Sequence, residues 1–135
     1  MAFPYVNDKQ KADDFLFEFF LKTKTDPALF EGWKNLGMVV GVQIPDLGLS
    51  YSLDCTSGTD VVITKGYPDK PKAALKLDIG VFHDLWIGKL NIVWAFSMRK
   101  IKTEGNIASI MKLTSLMPKG IQMYKEYLKG KGVPA

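Results

Sequence analysis

Alternation limits this chain more than any other feature. Apolar side chains recur at every second position in Val40, Val42 and Ile44, in Leu49, Tyr51, Leu53 and Cys55, and in Ala73, Leu75 and Leu77. A period of two places one set of side chains on one face of a strand and the rest on the other. A further apolar run, Val61 to Thr64, sits among these bursts. Turn chemistry separates them: Pro45-Asp-Leu-Gly48, Thr56-Ser-Gly-Thr59 and Gly66-Tyr-Pro-Asp-Lys-Pro71. Arg99 to Glu104 alternates as well and supplies a fifth strand. Strands with one polar face predict an α/β fold of the α+β type. Its five-stranded, mainly antiparallel sheet is covered on one face by helices.

The ends of the chain supply helices. From about Asp8 to Thr23, Ala12, Phe15, Leu16, Phe19 and Phe20 fall at helical spacing, with Phe17 and Leu21 on a second face. A helix apolar on two sides asks for two packing partners or a ligand. Asp26-Pro27 opens a second helix, with Asp26 as cap and Pro27 in the first turn. Leu29, Phe30, Trp33 and Leu36 line one face of it, and Gly37 ends it. Pro118 breaks one helix or starts another. After it, Ile121, Tyr124 and Leu128 form one face, Met123 and Tyr127 a neighbouring one, and Lys125, Lys129 and Lys131 the wet side. A terminal helix behind such a joint can act as a lid over a cavity or pack as plain core.

Between Asp78 and Met117 lie two short apolar segments, Ile79 to Trp86 and Ile92 to Phe96. Asp78 is placed to cap the first, and Gly88-Lys89 closes it. A helix from about Ile107 to Met117 follows the fifth strand. The first two segments carry too much apolar surface to hide against each other, so they line a core or a cavity.

The run Phe96-Ser-Met-Arg-Lys-Ile-Lys-Thr-Glu-Gly-Asn-Ile-Ala-Ser-Ile-Met-Lys-Leu resembles the most typical stretch of sterol carrier protein 2 domains. In that family a Gly-Lys-Leu ends one helix, as Gly88-Lys89-Leu90 does here. A lysine-rich strand then leads through Glu-Gly into an apolar helix, as Lys100 to Leu113 does here. With the order of the preceding elements, the resemblance spans roughly Leu36 to Leu128. Two positions depart from it: the family usually has Gly where this chain has Arg99, and often a Pro near Asn91. The resemblance implies one lipid-binding domain with an apolar tunnel. Its parts are N-terminal helices at about 8–36, sheet and helices at about 38–117 and a C-terminal helix at about 118–129. Sterols, fatty acids, fatty acyl-CoA or phospholipids are the implied ligands, with transfer between membranes as the implied role. A long acyl chain would gain roughly 10 kcal/mol at about 0.8 kcal/mol per buried methylene, before ordering costs.

The candidate ligand-binding residues come from the short apolar helices, which the resemblance implies as tunnel wall, from the helices on either side of Pro118, and from the methionines, whose flexible side chains suit a wall that adapts. They are Phe82, Trp86, Ile92, Trp94, Phe96 and Met98, then Ile110, Met111 and Met117, and finally Met123 and Tyr127. A second reading is a non-catalytic structural or dimerisation module of the same fold.

Other classes are disfavoured. His83 is the only histidine and Cys55 the only cysteine, so no disulfide and no His or thiolate metal cluster is expected. A Cys55–His83 nucleophile pair lacks any sign of an oxyanion hole, and Cys55 falls on the apolar face of its strand. No G-x-G-x-x-G and no P-loop is present. We therefore expect no enzyme, no cofactor and no metal. The net charge of +4 is mild. Basic residues gather at Lys70 to Lys76, Arg99 to Lys102 and Lys125 to Lys131, either as a solvated rim or as contacts for an anionic membrane surface. The aromatics sit in apolar patterns rather than among these charges, which argues against nucleic acid. No run of about 18 apolar residues, no signal peptide and no peroxisomal Ser-Lys-Leu terminus is seen, which favours the cytoplasm.

Overall fold

The computed structural model describes residues 3–133, with the backbone alone at Ser109, Ile110 and Leu113. Asp8 caps the first helix, α1 (Lys9–Thr23), by accepting the Lys11 N–H. Asp26 caps α2 (Pro27–Lys34), its carboxylate taking the Ala28 and Leu29 N–H groups, with Pro27 in the first turn. The Asp26 cap is the one the sequence predicts, and each cap satisfies backbone donors the helix leaves free.

The strands are β1 (Val39–Ile44), β2 (Leu49–Asp54), β3 (Val62–Lys65), β4 (Ala73–Lys76) and β5 (Lys102–Gly105). Among the described residues they form one five-stranded sheet in the order β3-β2-β1-β4-β5. The pairs β1–β2, β2–β3 and β4–β5 are antiparallel, and β1–β4 is parallel. The sheet is therefore mixed, with the single parallel seam at its centre. The fifth strand begins later than the alternation suggests. Arg99 has a left-handed backbone, φ +56°, which turns the chain and keeps residues 99–101 out of the ladder. This is the position where the resembled family usually carries Gly.

Val40, Val42, Ile44, Leu49, Tyr51 and Leu53 are buried beneath the helices. The opposite face is not bare throughout. At Gly41 the loop after β3 folds back so closely that a Cβ would lie 2.8 Å from the Tyr67 ring and 3.1 Å from Pro68. Only glycine lets this loop lie flat on the strand.

Helices α3 (Ile79–Trp86) and α4 (Ile92–Ser97) follow β4. Asn91 caps α4 by accepting the Trp94 N–H. The cap of α3 is not the one the sequence suggests. Asp78 makes no side-chain cap bond. Instead the Ile79 N–H donates to Asp46, 3.0 Å from Oδ1 and 3.3 Å from Oδ2. Asp46 sits in the β1–β2 turn, so a sheet turn anchors this helix.

The expected helix from Ile107 to Met117 is divided into α5 (Ile107–Met111) and a 3₁₀ turn (Lys112–Leu116). Then α6 (Met117–Gly130) begins, with Pro118 in its first turn. The notion of α6 as a lid is not supported. Tyr124 and Leu128 are fully buried, and Tyr127 nearly so. Tyr124 packs edge-on to Phe15 and Phe19 of α1 and to Phe82 of α3. The Tyr127 hydroxyl donates to the Phe15 carbonyl at 3.0 Å. Burying side chains of this kind is worth about 1.5–3 kcal/mol each, so α6 is part of the core.

The second apolar face of α1 also finds its partner. Phe17 stacks on Tyr51 at 6.4 Å, with the Lys65 Nζ 5.3 Å from its centroid. Beyond it, the Tyr51 hydroxyl donates to Asp13 Oδ1 at 2.8 Å, and Asp13 Oδ2 is 3.1 Å from Lys65 Nζ. Leu21 is left largely exposed.

An apolar cavity between sheet and helices

Between the sheet and the helices lies a cavity in two adjoining lobes, of about 90 and 100 Å³. Val40 and Val42 of β1, Leu53 of β2 and Leu75 of β4 form the floor of the first lobe. Strand periodicity puts these side chains on one face, and the pairing of β1 with β2 and β4 brings them side by side. Phe20 and Trp33 close one wall, Phe82, Leu85 and Trp86 the next, and Ile92, Phe96 and Met117 the far end. Trp33, Leu75, Trp86, Ile92 and Met117 line both lobes, and the second adds Leu29 and Leu116.

The walls hold no titratable side chain. The Trp33 indole N–H is already committed, donating to Thr23 Oγ1 at 2.8 Å, while that hydroxyl donates to the Phe20 carbonyl at 2.5 Å. An apolar cavity of about 150 Å³ can hold a benzene-sized molecule without water. Each lobe thus suits a short apolar group. A long chain or a ring system needs the side chains shared by both lobes to turn aside.

Of the residues singled out from sequence, Phe82, Trp86, Ile92, Phe96 and Met117 meet at this cavity. Trp94 and Met98 do not: they are 46% and 55% exposed on the outer side of α4. That helix has six residues, too few for a periodic pattern to reveal its inner face. Met123 and Tyr127 do not line the cavity either; they line a separate surface groove with Glu18 and Lys22. Met111 is half-buried away from the cavity. The side chain of Ile110 lies outside the described residues. The sequence reading missed the floor and the Trp33 wall. Their apolar periodicity was visible, but it looks the same for a filled core as for the rim of an empty space.

The buried polar groups form a separate cluster. His83 is fully buried, its Nδ1 2.8 Å from the Tyr124 hydroxyl. Its Nε2 has no hydrogen-bond partner among the described residues. Burial pushes the His83 pKa below its ordinary value, partly opposed by Asp84, and burial raises that of Tyr124. Cys55 is also fully buried, and its thiol is pushed up to about 11, mainly by burial and then by Asp54. His83 has Tyr124 as its partner rather than Cys55. Among the described residues no three of His, Cys, Asp and Glu come together to hold a metal.

A mixed five-stranded sheet roofed by helices over an apolar hollow defines a small class of α+β folds. The SCP-2 sterol transfer family matches residues 17–118, and this chain belongs to that family. The match takes in the second half of α1, which lies ahead of the stretch carrying the resemblance in sequence. The chain is similar to the apo form of sterol carrier protein 2 from Yarrowia lipolytica. The two are 20% identical over 83% of this chain and 91% of that one, with a TM-score of 0.59. It is similar also to the sterol carrier protein domain 2 of Helicoverpa armigera, at 22% identity, 90% and 94% coverage and a TM-score of 0.61. A third likeness is to the sec-alkylsulfatase Pisa1 from a Pseudomonas species. It has 19% identity and a TM-score of 0.53 over 64% of this chain but 14% of that one. At these identities the likeness is one of fold. No curated protein matches the chain closely enough to count as a relative. No described helix is long and apolar enough to cross a membrane.

Proposed function

We propose that this chain binds a hydrophobic lipid ligand, such as a fatty acyl chain or a sterol, in the two-lobed cavity and carries it between membranes. The observation that supports this reading is the lining itself, apolar throughout in both lobes. Such a site gains free energy from every methylene it removes from water and has no means of activating a bond. Family membership and the fold shared with sterol carriers point the same way. A ligand's polar head has no partner in the walls and stays at the mouth.

The test is uptake of a fluorescent fatty acid and a fluorescent sterol, followed by energy transfer from tryptophan. Val42 lies on the cavity floor and is nearly fully buried. Val42→Phe fills the first lobe and is expected to lower affinity for both probes at least tenfold, with native far-UV circular dichroism. Unchanged affinity in a folded variant would move the ligand elsewhere. One observation favours a second reading, a non-catalytic structural or dimerisation module: the fold forms 14% of the Pseudomonas sulfatase chain. A chain that binds neither probe and forms dimers in solution would support that reading.

A further inference from the structure

Among the described residues, the outer side of α4 has no partner in the fold. Val93, Trp94 and Met98 are 52%, 46% and 55% exposed there, while Ala95 of the same helix is buried and Ile92 and Phe96 line the cavity. Three large apolar side chains this close together on a surface mark an interaction site. Their surroundings say what kind. Lys89, Arg99 and Lys100 flank the helix and are exposed, and no acidic residue occurs between Asp84 and Glu104. In the β4–β5 ladder Lys76 stands directly opposite Lys102. Like charges in that position repel. Among the described residues none of these five cations pairs with a carboxylate.

We propose that the outer side of α4 docks on an anionic lipid bilayer, with Trp94, Val93 and Met98 entering the headgroup boundary and the surrounding lysines and Arg99 resting on acidic headgroups. The inference rests on the lipid-binding reading above for its purpose, though not for its evidence. Tryptophan suits this boundary because its ring is apolar and its N–H polar. Stable attachment to a bilayer takes two weak signals together, and α4 combines an apolar wedge with a basic surround. A protein partner would bury a wider face than three side chains provide. Docking here also sets the cavity residues Ile92 and Phe96, on the inner side of the same helix, next to the membrane.

The experiment is co-sedimentation of the full chain with phosphatidylcholine vesicles, with and without phosphatidylserine. Binding is expected only with phosphatidylserine, accompanied by a blue shift of Trp94 emission. Trp94→Ser with Met98→Ser, and separately Lys100→Glu with Lys102→Glu, should each weaken binding at least tenfold. All four side chains are exposed, so the fold is expected to persist. Both double variants should still take up the fluorescent fatty acid in vesicle-free solution. Wild-type protein that ignores phosphatidylserine, or variants that bind vesicles as wild type does, would overturn the proposal. So would a dimer that the Trp94/Met98 variant dissolves in the absence of vesicle binding, since the patch would then be a self-contact. Vesicle binding through α4 by a chain that takes up no fatty acid would sink the carrier reading and leave the docking surface standing.

Discussion

Gly120 of α6 lies against the Trp86 indole so closely that a Cβ on it would sit 2.3 Å from the ring carbon Cζ3. The missing side chain is what lets Trp86 lean on α6 and form a wall of both cavity lobes. Gly120→Ala therefore sets two effects against each other. Alanine favours the helix by about 1 kcal/mol, whereas overpacking costs about 1–3 kcal/mol. The second is expected to win, with a net loss of about 1 kcal/mol, and the indole shifts into the cavity. Tryptophan emission should change and fatty acid affinity should fall. Gly130, with open space around it on the same helix, is the control: Gly130→Ala should leave both unchanged. If Gly120→Ala behaves like the control, Trp86 is not held as described.

The remote cap of α3 is tested by a pair of variants. Asp46→Ala removes the carboxylate bonded to the Ile79 N–H and should cost about 0.5–2 kcal/mol in urea unfolding. Asp78→Ala, at the N-cap itself but without a cap bond, should cost clearly less. A reversed order would show that Asp78 caps the helix in solution.

His83 gives the fold a dependence on mild acid. Its pKa in the folded state is lowered by burial, so between that value and about 6.5 the unfolded chain holds more protons than the folded one. Stability is then fully present above about pH 6.5 and falls as pH drops through that window, at no more than about 1.4 kcal/mol per pH unit. Asp54 and Asp60, whose pKa values are also lowered, by hydrogen bonds to Thr56 and Lys24, act only at lower pH. Chemical denaturation from pH 7.5 to 5 should show the slope in wild type. His83→Gln should flatten it even if its overall stability is lower. A slope that survives this change belongs to another group.

Arg99 holds a left-handed backbone that costs a side-chain-bearing residue about 1–2 kcal/mol. Arg99→Gly removes that cost but gives the unfolded chain more freedom, worth about 0.4–1 kcal/mol. A net gain of about 0.5–1 kcal/mol in thermal unfolding is expected, together with a loss of affinity for anionic vesicles. A destabilised variant would mean that the arginine side chain makes contacts outweighing its backbone strain.

The sheet was legible because alternation is local: Leu49, Tyr51 and Leu53 declare their face without help from distant residues. The Asp26 cap of α2 was legible for the same reason. What escaped was decided over long separations. Asp46 caps a helix 33 residues away, and nothing near Asp78 in sequence announces it. The stripe of Tyr124 and Leu128 was plain, but whether it covered a cavity or α1 depended on where α6 lands. Trp94 and Trp86 read alike as aromatics in short apolar helices, yet one faces water and the other the cavity. The parallel pairing of β1 with β4 was likewise invisible, since each strand alternates in the same manner whichever neighbour it takes.

The anchoring of α3 fixes where the hollow can give way. Asp46 holds its first turn, Tyr124 meets its His83, and Gly120 backs its Trp86. Sliding this helix would break contacts to the sheet and to α6 at once. No side chain of α4, by contrast, hydrogen-bonds another element among the described residues. The molecule thus resembles a frame with one pinned post and one panel held by apolar packing, and the panel is the helix whose outer side carries Trp94. On the lipid-binding reading proposed above, a guest too large for either lobe is expected to enter there, so its occupancy should loosen the Asn91–Ser97 amides in hydrogen exchange while those of α3 stay protected.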